Sequence, residues 1–277
     1  MSTTDQATGD ETAGQAAAGQ ASANNHGAPV ALVTGAGRRL GRAIALALAH
    51  AGWDVAIHYR ASRAEAEEVA AHIAALGRRT ALVHGELSDE ASVRRLLPAA
   101  ADALGPVTCV VNNASLFDYD SATDFSMTKL DAHMRANVAA PLLLAQALHA
   151  QVADGAQGVV VNLLDQKLYN LNPDFLSYTL SKAALHTATT VLAQALAPKV
   201  RVVGVAPGIT MVSGDQSEAG FAKAHTQTPL GRSSTPEDIA AAVLYAATAR
   251  AVTGTTLLVD GGQHLLPLPR DVMFLAK

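Results

Sequence analysis

The sequence predicts a single α/β domain built on a doubly wound, seven-stranded parallel sheet with helices on both faces. Three observations carry that prediction. Short apolar runs of strand length alternate with segments of helical pattern through residues 29–262, and that alternation builds a parallel sheet covered on both sides. The first run ends in a glycine-rich turn, TGAGRRLG, which opens a helix. No internal repeat occurs, and no apolar run approaches the roughly 20 residues that a membrane span needs.

Composition narrows the classes further. Residues 1–28 contain no Val, Ile, Leu, Phe, Lys or Arg, so this tail has almost nothing to bury and is expected to be disordered. It lacks the basic start and apolar run of a secretory signal and the arginines of a transit peptide, which leaves a soluble, cytoplasmic protein as the expectation. Residues 29–277 suit one domain that buries roughly three quarters of its unfolded surface. A formal net charge of −4 and the absence of a basic block argue against nucleic acid as the main partner. The single cysteine, Cys109, excludes an internal disulfide and reads as a buried strand residue. No Cys/His cluster has metal-ligand spacing.

The elements follow in order. Residues 30–34 form the first strand; it runs into Gly35, Arg38, Arg39, Leu40 and Gly41 and then a helix over 42–51. A strand, glycine turn and helix in this order point backbone N–H groups and a helix N-terminus at a pyrophosphate. Gly35 and Gly41 are the outer glycines, and Arg39 stands where a middle glycine is expected. The second strand, 54–59, ends in His58, Tyr59, Arg60, Ser62 and Arg63. An NAD site has an acid at this end to hold the ribose 2′-hydroxyl, and Asp54 lies at the wrong end. An arginine with a hydroxyl suits a 2′-phosphate, so NADPH is the expected cofactor.

A helix over 64–76 stops at Gly77. The third strand (80–84), a helix (89–104) and the fourth strand (107–112) lead into Asn113, Ala114 and Ser115, small and amide residues at the strand end where such sheets bind ligands. A helix over 127–152 follows. It carries Asn137 in an apolar stretch, where the amide is either satisfied in the core or functional, and Pro141, expected to kink or break it. The fifth strand, 158–164, ends at Asp165. The sixth, 200–206, is followed by Pro207, Gly208 and a polar loop to Ser234, long enough to cover a substrate. Thr235 and Pro236 open a capped final helix, and the seventh strand, 255–259, closes at Asp260-Gly261-Gly262.

The helix predicted over 175–199 organises the rest. Tyr178 and Lys182 stand four residues apart and so share a helix face. A neighbouring cation favours the phenolate, so Lys182 is expected to lower the pKa of Tyr178. A phenol tuned in this way exchanges a proton near neutral pH, as a reductase requires at the atom next to the one receiving hydride.

TGAGRRLG, NNAS, a helical Asn137 and Tyr178-x-x-x-Lys182, in that order, resemble the short-chain dehydrogenase/reductase superfamily over residues 30 to about 262. The resemblance implies a Rossmann fold. It also implies Tyr178 as general acid or base, Lys182 lowering its pKa and holding the nicotinamide ribose, and Asn137 positioning a water for proton relay. In that family a serine normally stands about where Asp165 does. Arg39 for glycine and Asp165 for serine, with HYRAS and NNASLF, resemble the pteridine reductase branch. There the arginine reaches the cofactor phosphates and the pterin, the aspartate works with the tyrosine in protonation, and a phenylalanine matching Phe117 stacks on the pterin. Bacterial relatives in that branch reduce dihydromonapterin and, less well, dihydrofolate. Glu86, before Leu87, stands near the adenine where the family more often has aspartate. Family members commonly form tetramers through the helices bearing Asn137 and Tyr178, and the C-terminal segment is expected to carry Arg270 to a neighbour's pocket.

The chemistry agrees with the substitution. A carbonyl oxygen accepts from a serine hydroxyl, whereas a pterin presents ring nitrogens and an amino group that suit a carboxyl partner. The expectation is therefore an NADPH-dependent pterin reductase, with protonation through Tyr178 and Asp165 refilled through Lys182 and Asn137. Two alternatives stand beside it. One is a carbonyl or 3-oxoacyl-thioester reductase in which Asp165 and Arg39 are incidental. The other is a catalytically silent NADPH-binding regulator, which needs the cofactor cradle but not the acid.

Overall fold

The strands run parallel in one sheet, in the order β3-β2-β1-β4-β5-β6-β7. The structure, a computed structural model, describes residues 27–212, 218–226 and 228–275; apart from its last two residues, the expected N-terminal tail lies outside them. The strands are β1 (Val30–Val33), β2 (Asp54–Tyr59), β3 (Thr80–His84), β4 (Val107–Asn112), β5 (Gly158–Leu163), β6 (Val200–Pro207) and β7 (Thr256–Val259). Every residue of β1, β2 and β5 is buried. Burial on both faces is why these strands read as unbroken apolar runs rather than alternating ones.

Helices α1 (Arg39–His50), α2 (Arg63–Ala75) and α8 (Pro236–Thr248) cover one face, packing Ile44, Leu48, Val69, Ile73, Ile239 and Val243 onto Val33, Val55, Ile57 and Val205. On the other face, α3 (Glu90–Leu104), α5 (Ala140–Gln151) and α6 (Leu176–Ala195) bring Val93, Leu96, Leu144, Leu148 and Ala193 onto Leu32, Val110, Val160 and Val202. Strand order reverses between β1 and β4, and the crevice at the carboxyl ends of the strands there is where such sheets take ligands. The expected capping pattern forms in full: Thr235 Oγ1 accepts from the Asp238 N–H, and Asp238 Oδ2 from the Thr235 N–H.

Two expectations change. The helix over 127–152 is not broken at Pro141. It runs as α4 (Met127–Met134), a π-helical segment Arg135–Ala139 and α5. Pro141 offers no N–H to the carbonyl of Asn137, and the register slips to i→i+5 there, with the Ala140 N–H donating to Arg135 O. The stretch 207–234 is not wholly loop, because α7 (Glu218–Thr226) lies within it; residues 213–217 and 227 fall outside the described residues.

Candidate active site

The turn after β1 is shaped by contacts that only glycine allows. Gly35 sits at φ +63°, and a Cβ on Gly41 would lie 2.2 Å from Gly35 O and 2.6 Å from Asn113 Nδ2. Arg39, at the expected middle-glycine position, adopts φ 51°, a left-handed conformation that costs a non-glycine residue about 1–3 kcal/mol. Its guanidinium donates to Val212 O, 2.7 Å away. Arg38, the N-cap residue of α1, makes no side-chain cap, and the first turn of α1 holds no acid. N–H groups at an uncapped helix start carry positive partial charge. Thr34 Oγ1 accepts from the N–H groups of Asn113 and Ala114 at 2.9 and 3.0 Å, and Asn113 Nδ2 donates to Thr34 O. The Asn113 amide is thus spent on joining the two loops.

These loops form one wall of a cavity of about 500 Å³, which also takes in Ser115, Phe117, Asp165, Tyr178, Lys182, Pro207 and Gly208. Tyr178 Oη donates to Asp165 Oδ2 at 2.7 Å, and Asp165 Oδ1 accepts from the Lys167 N–H at 2.8 Å. Desolvation, followed by the Asp165 carboxylate beside it, raises the Tyr178 pKa well above the ordinary phenol value. Desolvation likewise raises Asp165, against the lowering effect of the Lys167 N–H and the Tyr178 hydroxyl. The expected lowering of Tyr178 by Lys182 is therefore reversed. Lys182 Nζ donates to Leu163 O at 2.7 Å and lies 5.7 Å from the Tyr178 ring centre, so the charge nearest the phenol is the carboxylate. Burial pulls the Lys182 pKa down to about 8.

Asn137 does not line the cavity. Its Oδ1 accepts from the Leu116 N–H at 2.7 Å, and its Nδ2 donates to Leu116 O and to Ser181 Oγ. It ties the segment before Phe117 to α6. Phe117 stacks on Phe175 at 4.3 Å and meets Tyr178 edge-on at 4.6 Å, yet remains 39% exposed, so it is a cavity wall rather than a core aromatic.

The cluster expected at the end of β2 divides. His58 is buried and does not face the cavity: its Nδ1 accepts from the Gly35 N–H at 3.0 Å, and its Nε2 lies 3.2 Å from Gly85 O. One ring nitrogen accepting and the other donating is neutral imidazole, and burial lowers its pKa to about 4. Tyr59 is also buried, packed into the core beside His84. His58 supports the turn, and neither residue lines the cavity. Arg60 lies exposed, 3.7 Å from Glu86, and Ser62 approaches Gly37; neither lines the cavity. Leu87 packs against the core. Asp54, at the far end of β2, is held by Arg78 and Arg79.

Sequence reasoning missed one part of the site. Asp271 and Val272, from the C-terminal segment, line the cavity, as does Gln166, and Ile209, Thr210 and Met211 join them from the loop expected to cover a substrate. Arg270 grips Asp174 of its own chain with Nε and Nη2. No periodicity or motif marks these residues, because the contact joins positions 96 apart.

A doubly wound sheet, a glycine turn at its switch point and a Tyr–Lys pair beside it define an oxidoreductase of the dinucleotide-binding kind. The chain belongs to the short-chain dehydrogenase/reductase superfamily, since a family model described as enoyl-(acyl carrier protein) reductase matches residues 35–264. FolM alternative dihydrofolate reductase 1 from Brucella canis, solved in complex with NADP, is 39% identical with a TM-score of 0.81, over 86% of this chain and 95% of that one. An uncharacterised oxidoreductase of Methylorubrum extorquens is 34% identical, over 84% of this chain and 96% of its own. A 3-oxoacyl-[acyl-carrier-protein] reductase of Synechocystis is 31% identical, over 85% and 96%.

Proposed function

We propose that the protein is an NADPH-dependent pterin reductase, taking a dihydropterin such as dihydrobiopterin or dihydromonapterin and, less readily, dihydrofolate. The observation that carries this reading is the hydrogen bond between Tyr178 and Asp165 in the cavity wall, beside the half-open ring of Phe117. A carboxyl group at this point suits ring nitrogens and an amino group better than a ketone. The likeness to the Brucella reductase supports it.

The residues present fit the cofactor. The uncapped start of α1 and the Gly35–Gly41 cradle suit a pyrophosphate, Arg60 and Ser62 a 2′-phosphate, Glu86 and Leu87 the adenosine end, and Lys182, Ala114, Ser115, Pro207 and Gly208 the nicotinamide end. NADPH, when bound, supplies the hydride to the carbon of a ring C=N bond. Tyr178, kept protonated by burial and its carboxylate neighbour, gives the proton to the adjacent nitrogen. The Tyr178 phenolate left behind regains a proton through Asp165, whose carboxylate, with its raised pKa, first takes one up from the Lys182 relay, and Arg39 and Phe117 hold the ring. Lys182 relays toward solvent. Asn137 positions Phe117 through Leu116, and its main-chain carbonyl, to which Pro141 offers no N–H, holds the relay water. Exposed Leu180 and Val191 on α6 support assembly as a homotetramer; the cytoplasmic setting belongs to the same reading.

A 3-oxoacyl-thioester reductase is the second reading, favoured by the Synechocystis relative. The test is NADPH oxidation with a dihydropterin, dihydrofolate and a small 3-oxoacyl thioester side by side, with NADH as control. Turnover of the pterins supports the proposal; turnover of the thioester alone refutes it.

A further inference from the structure

A histidine buried inside a parallel sheet calls for a reason. His58 is 2% exposed and stands in β2, where its neighbours Ala56, Ile57 and Tyr59 belong to the apolar core. An aliphatic residue fills such a position without cost, whereas a buried imidazole needs a partner for each ring nitrogen. Both nitrogens are paired here, each on a different loop. Nδ1 accepts from the Gly35 N–H at 3.0 Å, and Nε2 donates to Gly85 O at 3.2 Å. An amide N–H only donates and a carbonyl only accepts, so the single proton of the neutral ring sits on Nε2.

The two loops joined in this way belong to the two ends of the cofactor cradle. In the glycine turn, Gly35 sits at φ +63°, and the following residue, Ala36, donates its N–H to the main-chain carbonyl of His58 at 3.0 Å. Side chain and main chain of one residue thus take the N–H groups of Gly35 and Ala36, which leaves those at the uncapped start of α1 to a pyrophosphate. In the loop after β3, Gly85 packs so closely that a Cβ would lie 2.7 Å from Leu96 Cδ2. Next to it stands Glu86, whose carboxylate accepts from the Ser88 N–H at 3.0 Å and approaches Arg60 at 3.7 Å.

We propose that His58 is a positioning residue for the cofactor, a clip whose two ring nitrogens set the pyrophosphate turn against the adenosine loop. The inference rests on the placement of NADPH given above and goes beyond it; the identity of the reduced substrate does not enter.

Two substitutions take the clip apart. The side-chain oxygen of Asn is as many bonds from Cα as Nδ1 of His, and the side-chain nitrogen of Gln as many as Nε2. His58→Asn therefore keeps the acceptor for Gly35 and drops the donor to Gly85, and His58→Gln does the converse. Fluorescence titration gives the affinity for NADPH, which spans both loops, and displacement of NADPH gives that for adenosine 2′-monophosphate, which has no pyrophosphate. Each variant weakens NADPH by roughly fivefold or more, the effect of one buried group left unpaired. His58→Asn weakens the monophosphate by the same factor, whereas His58→Gln leaves its affinity within roughly twofold of wild type. A merely structural histidine lowers both affinities in step in both variants. That outcome, or a change in NADPH affinity of less than roughly fivefold in either variant, overturns the clip. Nitrogen NMR of the wild-type imidazole needs no variant: a ring proton on Nε2, kept when NADPH binds, is expected, and one on Nδ1 overturns the clip even if both variants fail to fold. A wild type with no affinity for the monophosphate overturns the placement of the adenosine end, and the clip with it.

Discussion

Replacing Tyr178 by Phe isolates the proton donor. The Tyr178 hydroxyl makes one side-chain hydrogen bond, to Asp165 at 2.7 Å, and the ring keeps its edge contact with Phe117 at 4.6 Å without the oxygen. The fold and the cofactor cradle, which lies on the other side of the cavity around Gly35 and Gly41, therefore stay in place. Loss of one hydrogen bond to an ionised group costs about 1.5–3 kcal/mol. At about 2–4 °C per kcal/mol for a domain of this size, the melting temperature falls by roughly 3–12 °C. General acid catalysis by a positioned group contributes roughly 100- to 10,000-fold, so kcat for a dihydropterin falls by that factor while the NADPH dissociation constant stays within about twofold of the wild type, a span of roughly 0.4 kcal/mol. Stopped-flow NADPH oxidation and a fluorescence titration measure the two. A variant retaining kcat within roughly tenfold, below the lower limit for a general acid, would falsify the assignment of Tyr178 as donor.

Three further outcomes follow from the same geometry. Asp165→Ser exchanges a carboxyl for a hydroxyl, so pterin reduction falls by roughly 100-fold or more while a ketone or 3-oxoacyl substrate is reduced as well or better; equal loss on both shows that Asp165 is only structural. Gly41→Ala forces a Cβ to within 2.2 Å of Gly35 O, so NADPH affinity drops by roughly tenfold or more, about 1.4 kcal/mol, and unchanged affinity in a titration refutes the tight turn. Lys182 has a folded pKa of about 8, lowered by burial from 10.5. Between these values the folded protein binds fewer protons than the unfolded chain, so the part of stability that Lys182 controls rises with pH across that window. Lys182→Met removes this rise from the denaturation curve, raises stability at neutral pH and loses turnover; a pH profile of stability identical to wild type contradicts the buried, destabilising charge.

Most of the scaffold is legible in the sequence. The bounds of β2, β3 and β4 coincide with the expected runs, because a strand sandwiched between two helix layers must be apolar throughout and stops where the loop residues begin. The cavity brings together Gly35, Arg39, Gly41, Phe117, Asp165, Tyr178 and Lys182, each of which stands at a strand's carboxyl end or on the helix that follows. His58 and Tyr59 share that position in the sequence but turn into the core. A residue at a strand end points either to the ligand or to the neighbouring loop, and alternation alone does not say which.

What the sequence determined by itself is local and periodic: strand, helix and turn, the close glycine contact at Gly41 and the Tyr178/Lys182 helix face all depend on residues within a few turns of one another. Only the tertiary structure decided the electrostatics and the outer wall. Tyr178 is raised rather than lowered because Asp165, from a different element, lies nearer its hydroxyl than Lys182 does. Asp271 enters the cavity because Arg270 finds Asp174, 96 residues away in the chain. Charge–charge effects act through distance in space and through burial, and neither quantity exists until the chain has folded.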